Sequence, residues 1–203
     1  MNARLPEPKP IVVRVCHWLN AFAIVVMVAS GWRIYNASPI FNFMFPDGLT
    51  LGGWLGGAIQ WHLAGIWLLV GNGLFYLIYN VAIGRWRAFW PLRPREIVRD
   101  TWAALRLQLP HGNLDRYNPL QRLFYVGVML CIVVAVASGL VVWKPVQFPL
   151  LRAVMGGYDN ARVVHFFAMS AIVLFTAVHV MMVAVVPRTI SGMIGIWRVR
   201  RAG

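Results

Sequence analysis

The chain has 203 residues, 60% of them apolar and only 12% charged, with a mean hydropathy of +0.65, which excludes an ordinary soluble domain and a disordered one. A net charge of +13 would suggest nucleic acid in a soluble protein, but the basic residues cluster at the ends of long apolar runs, where they report membrane topology. The two cysteines, Cys16 and Cys131, form no CxxC pair and exclude a disulfide framework.

Four apolar runs, at about 16–36, 61–83, 121–143 and 163–186, are long enough to cross about 30 Å of hydrocarbon. Lipid cannot satisfy backbone polar groups, so each run is predicted to be a helix. Before the first run, Pro6, Glu7, Pro8 and Pro10 interrupt what would be a signal n-region, so that helix is expected to be retained. It opens on Arg14 and His17 and carries Ser30 and Gly31 near its other end. The following connection, Asn36 to Gln60, is rich in Phe, Trp and Gly, and its SPIFNFMF stretch is expected to lie at the membrane interface.

The second run opens on His62, with Gly65 one turn later and Tyr76 and Asn80 towards its end. A long basic connection follows, in which Pro94 to Leu109 reads as an amphipathic surface helix: Val98, Trp102, Leu105 and Leu109 form one stripe. Arg122 and Tyr125 begin the third run, and Ser138 and Gly139 approach its end. After the connection at 144–162, the fourth run carries His165 and His179.

Of the 19 basic residues, 15 lie before the first run, in the middle connection or after the last run; only Arg33, Lys144, Arg152 and Arg162 lie on the other side. The positive-inside rule then predicts both termini in the cytoplasm. The expected architecture is all-α: one membrane domain over residues 1–203, an up-down four-helix bundle. A weak internal repeat of two helical hairpins runs through it. VVMVASGW at 25–32 matches VVAVASGL at 133–140, and at the same offset Arg14 meets Arg122 and His17 meets Tyr125. In the second helix of each hairpin, His62 aligns with His165 and Tyr76 with His179.

His165 and His179 stand fourteen residues apart, almost four helical turns, so they share a face and lie about 21 Å apart along the axis. Ionisable groups inside a membrane span are costly and mark a functional site. With the amino terminus inside, His17 and His179 fall at the cytoplasmic level, and His62 and His165 at the extracytoplasmic level. Matching depth gives two bis-histidine sites, and four such ligands can hold two hexacoordinate irons. Without a CxxCH motif, covalently attached haem is not expected. Gly31, Gly65, Gly139, Ser30 and Ser138 are small enough to admit a macrocycle edge, and equally suited to close helix packing. Zinc would want a compact tetrahedral cluster, and the spans contain no Asp or Glu for a carboxylate centre. His111, in the polar segment HGNLDRYNP, belongs to no pair and reads as a surface residue.

The Arg14-Val-Cys-His17-Trp18 start, the histidine opening the second helix and the His165/His179 pair together resemble the bacterial cytochrome b561 and nickel-hydrogenase b-type cytochromes. Formate dehydrogenase gamma subunits and thiosulfate reductase cytochrome b subunits belong to the same group. The resemblance covers essentially the whole chain. It implies a multi-pass inner-membrane protein of a respiratory chain, with two haems b, exchanging electrons between a quinone and a redox partner. It places His17 and His179 as inner-haem ligands, and His62 and His165 as outer-haem ligands. Arg14, Tyr76, Asn80, Arg122 and Tyr125 near the inner site are candidates for a quinone carbonyl, a haem propionate or a lipid phosphate. The connections at 36–60 and 144–162 would face an extracytoplasmic partner, for which a molybdopterin-type oxidoreductase is the nearest analogy. A homo-oligomer is left open, and nucleic acid is not expected. Two rival readings stay open: a stand-alone quinone-linked oxidoreductase acting on superoxide, and a histidine-dependent metal or proton transporter. The latter calls for a polar midplane path that nearly charge-free spans do not offer.

Overall fold

Apolar runs of this length have only one backbone solution in lipid, and the computed structural model shows it in four long helices. It describes residues 9–84 and 119–194, with Arg95, Val98, Arg99 and Trp102 between them. The long helices are α1 (Ile11–Ala37), α2 (Leu55–Ala82), α3 (Pro119–Trp143) and α5 (Tyr158–Val185); the short helices α4 (Pro149–Val154) and α6 (Arg188–Ile194) flank α5. All four long helices are apolar enough to span a membrane, and the described residues contain no strand. The amphipathic helix expected at 94–109 falls largely outside the described residues, as does His111.

Three of the long helices begin earlier than their apolar runs suggest, at Ile11, Leu55 and Tyr158. At 1.5 Å per residue, the 27 or 28 residues of these helices make about 40 Å, more than the hydrocarbon requires, so their ends reach the headgroup layer. A run of apolar residues marks only the hydrocarbon, whereas the hydrogen-bond ladder continues through interfacial residues such as Asn160 and Gln60.

The close packing is within hairpins, α1 against α2 and α3 against α5, while helices of different hairpins stand further apart. The contacts are made by small side chains: Ala23, Ala58, Ser30, Ser138 and Ala161 are fully buried. Large apolar residues such as Trp67, Ile78, Val133 and Leu174 are about two-thirds exposed. Small residues inside and large ones outside is the pattern of helices solvated by lipid. Gly65 belongs to this packing, since a Cβ there would lie 2.9 Å from Met27 Sδ and 3.3 Å from Val26 Cγ1.

One buried polar cluster ties the first hairpin together. Asn72 Nδ2 donates to the Cys16 carbonyl at 2.8 Å and to Asn20 Oδ1 at 2.7 Å. Replacing Asn72 by Leu removes both bonds and leaves Asn20 to find another partner, so it is expected to cost about 0.5–2 kcal/mol. Unfolding of the purified protein in mixed micelles measures this, and an unchanged midpoint would contradict it.

At the end of the bundle that carries the 36–60 connection, here called the loop end, the chain folds back on itself. Tyr35 Oη and the backbone of Phe41 exchange hydrogen bonds, and the Asn36 side chain brackets the Phe45 backbone at 2.8 and 2.9 Å. These bonds replace water for a non-helical backbone. Trp32 stacks on Phe45 at 4.6 Å, and Phe41 meets Phe166 of α5 at 5.3 Å. Leu51 N–H donates to the Ala29 carbonyl, one residue from Ser30. The connection expected as an interfacial anchor therefore also covers the loop end. On the other side, α4 passes into α5 through Gly156 and Gly157, whose φ angles of +74° and +107° suit glycine. At the opposite, terminal end, the start of α1 is tied to α6 by Lys9 N–H to the Gly192 carbonyl and Trp18 Nε1 to the Met193 carbonyl.

Candidate functional site

The four membrane histidines come together as two pairs at two levels. His62 of α2 faces His165 of α5 near the loop end, with ring centroids 6.3 Å apart and planes at 69°. His17 of α1 faces His179 of α5 near the terminal end, with centroids 6.1 Å apart and planes at 67°. Both pairs reach from one hairpin to the other, across the wider gap. All four rings are only partly covered by protein.

The separations carry chemical information. Two metal–imidazole bonds of about 2 Å each, plus about 1 Å from each nitrogen to its ring centre, span about 6 Å. Both pairs are thus spaced to hold one metal ion between two imidazoles. Among the described residues, no group of three or more His, Cys, Asp or Glu could complete a metal site. A macrocycle that brings its own four equatorial nitrogens fits such a two-ligand site, whereas tetrahedral zinc does not.

The pair near the loop end is built twice from the same parts. Ser30 Oγ lies 3.0 Å from His62 Nδ1, and Ser138 Oγ lies 3.1 Å from His165 Nδ1. His165 Nδ1 also lies 2.9 Å from the Ala135 carbonyl. A carbonyl can only accept, so Nδ1 of His165 carries the proton and Nε2 keeps its lone pair for a ligand. The glycine after each serine makes room for the ring: a Cβ at Gly31 would lie 3.4 Å from His62 Cε1, and one at Gly139 would lie 3.2 Å from His165 Cε1. The ASG repeat thus has the same structural job in both hairpins. Its small size is legible in sequence; the serine contact depends on how the helices turn about their axes.

The other pair is held by aromatic contacts. His179 stacks on Phe175 at 6.0 Å, and His17 meets Trp18 edge-on at 5.3 Å. Arg14, one turn before His17, has a buried Nε with no hydrogen-bond partner among the described residues, which suits an added anionic group. Asn80 is buried and donates to the Tyr76 carbonyl at 2.7 Å. Tyr76 and Tyr125 are half-buried. The Arg122 side chain lies outside the described residues. The Asn20 and Asn72 amides show in sequence only as polarity inside otherwise apolar spans.

Comparison with known proteins places the chain in a family. The family model for prokaryotic cytochrome b561 matches residues 9–195. A protein of Azospira oryzae named as a protein-methionine-sulfoxide reductase subunit, YedZ1, is 56% identical over 195 residues, covering 96% of this chain and 98% of its own length. A protein of Bradyrhizobium diazoefficiens named as a Ni/Fe-hydrogenase B-type cytochrome subunit is 25% identical, covering 83% of this chain and 73% of its own. The cytochrome b556(fdo) subunit of Escherichia coli formate dehydrogenase is 24% identical, covering 91% of this chain and 81% of its own. No solved structure matches the chain. With four membrane-crossing helices and a family match over nearly its whole length, the chain belongs to the prokaryotic cytochrome b561 family: haem b electron-transfer subunits of oxidoreductases, multi-pass in the inner membrane.

Proposed function

We propose that the protein is a di-haem cytochrome that takes electrons from a membrane quinol and delivers them to a reductase on the extracytoplasmic side. The carrying observation is the pair of imidazole couples, 6.1 and 6.3 Å across, at two depths of one bundle. His17 and His179 would hold one haem b, and His62 and His165 the other. The excess of basic residues on the terminal side supports a cytoplasmic position for both termini, which makes the His17/His179 haem the inner one.

Bound haem b supplies reversible one-electron chemistry at iron. The chain's residues set the conditions for it. The four imidazoles would hold the two irons, and the lipid-facing apolar surface keeps water from the sites. Arg14 offers its buried Nε to a propionate. Tyr76, Asn80, Arg122 and Tyr125, at the same end as the inner pair, are proposed to contact a quinone carbonyl or a propionate. Gly31 and Gly139 let the outer imidazoles lie against α1 and α3. Gly139→Val is therefore expected to push His165 aside and remove about half of the haem, measured as haem per chain. Retention of a full complement would contradict this role.

The direction of flow rests on the relative that covers 96% of the chain and is named as a subunit of a methionine-sulfoxide reductase. A reductase partner consumes electrons, so they would enter from quinol and leave outward. The 36–60 and 144–162 connections form the surface for that partner. Anoxic addition of a reduced short-chain quinol to the purified oxidised protein tests the first half, with reduction of both haems expected. Failure of every quinol tried to reduce either haem would overturn it. Co-purification from native membranes tests the second half: a molybdopterin-containing protein is expected to accompany the chain, and recovery of the chain alone would favour a stand-alone quinone-linked oxidoreductase.

A further inference from the structure

We propose that Ser30 and Ser138 are paired positioning residues for the two axial ligands of the outer haem, and that together they lower its midpoint potential. This rests on the reading of His62 and His165 as haem ligands. Each serine sits on the first helix of its hairpin, and each histidine on the second. Both serines are fully buried. Ser30 Oγ donates to the Val26 carbonyl at 2.6 Å, and Ser138 Oγ donates to the Val134 carbonyl at 2.7 Å. With each hydroxyl proton directed at its own helix, the oxygen lone pairs are free to accept from the imidazole Nδ1–H at 3.0 and 3.1 Å. The Ala135 carbonyl accepts from His165 as well, at 2.9 Å.

A serine in a membrane helix often bonds the carbonyl one turn back merely to satisfy its own hydroxyl. That explains the bonds to Val26 and Val134. It does not explain why two serines on different helices each place an oxygen on a histidine Nδ1, beside a glycine that clears space for the same ring. Recurrence of the serine and the glycine in both hairpins points to a device acting on the imidazoles.

Hydrogen-bond donation from Nδ1 fixes the tautomer, leaves Nε2 as the ligating nitrogen and makes the ligand more basic. A more basic ligand favours ferric over ferrous iron and so lowers the potential. The inner imidazoles rest instead on Trp18 and Phe175, so loss of a serine hydroxyl should be felt at the outer haem alone.

The experiment uses the full-length, haem-loaded chain with Ser30→Ala, Ser138→Ala and the double variant. Haem per chain, the two midpoint potentials by optical redox titration and the low-temperature EPR g values of the ferric haems are measured. The outer haem is identified as the signal absent from His62→Ala. Both haems are expected to remain, with the outer potential rising in each single variant and rising further in the double, while the inner potential stays put. A double variant that keeps two haems with unchanged outer potential and g values overturns the proposal. If alanine instead expels the outer haem, threonine, which keeps the hydroxyl, should retain it; equal loss from both also overturns the proposal. A wild-type chain without haem would defeat the ligand reading first, which separates the two failures.

Discussion

His179→Ala is expected to abolish the inner haem and leave the outer one, so that the purified variant carries about half the wild-type haem. The expectation is demanding because His165 lies on the same helix, fourteen residues away. The two residues share a helix face but have different partners: His179 faces His17 at 6.1 Å, and His165 faces His62 at 6.3 Å. Removing one imidazole would leave its partner alone in a site that offers no third protein ligand among the described residues. The outer ligands keep their serine and backbone hydrogen bonds, about 21 Å up the helix. Redox titration should show one haem wave where the wild type shows two. Loss of the outer haem alone, with the inner retained, would show that the pairing is wrong.

His62→Ala is expected to do the converse, with a different functional result. The outer haem should be lost and the inner kept, because His17 and His179 lie on α1 and α5, and the inner-level residues of α2, Tyr76 and Asn80, stand about 21 Å or more along that helix from His62. On the proposed flow, quinol should still reduce the remaining inner haem, whereas turnover with an extracytoplasmic acceptor should fall to the background rate. The measurement is quinol-driven haem reduction beside acceptor turnover in proteoliposomes. Unimpaired delivery to the acceptor would contradict passage through the outer site.

The depth of each histidine is legible in the sequence because helical rise and alternating topology leave it little freedom. His17 opens one span, His62 opens the next from the other side, and His165 and His179 mark both levels of the last. The pairings 17/179 and 62/165 follow from that alone, and the structure brings those rings together. Rotation about each helix axis is another matter, since it depends on packing between helices that share no sequence neighbourhood. Thus Ser30 and Ser138 are visible as small residues, but their contact with Nδ1 is not. Gly65 suits either of two uses in sequence, and its neighbours Met27 and Val26 match helix packing. Asn72 and Asn20 are 52 positions apart, and nothing in either local pattern names the other. Three of the long helices start several residues before their apolar runs, because hydropathy ends where the hydrocarbon does and the hydrogen-bond ladder does not.

The repeat also explains why the two sites differ. Ser30–Gly31 with His62 and Ser138–Gly139 with His165 are equivalent under the hairpin repeat, so the outer site has the same construction on both sides. His17 and His179 have Tyr125 and Tyr76 as their equivalents. One inner position per hairpin is a histidine and the other a tyrosine.

The central claim, two bis-histidine haem sites in one bundle, is tested most directly by haem stoichiometry. The purified protein should give a b-type reduced-minus-oxidised spectrum, and pyridine haemochrome quantitation should return two acid-extractable haems per chain. A protein that binds no haem when expressed with ample haem supply, or one that saturates at a single haem, would contradict it.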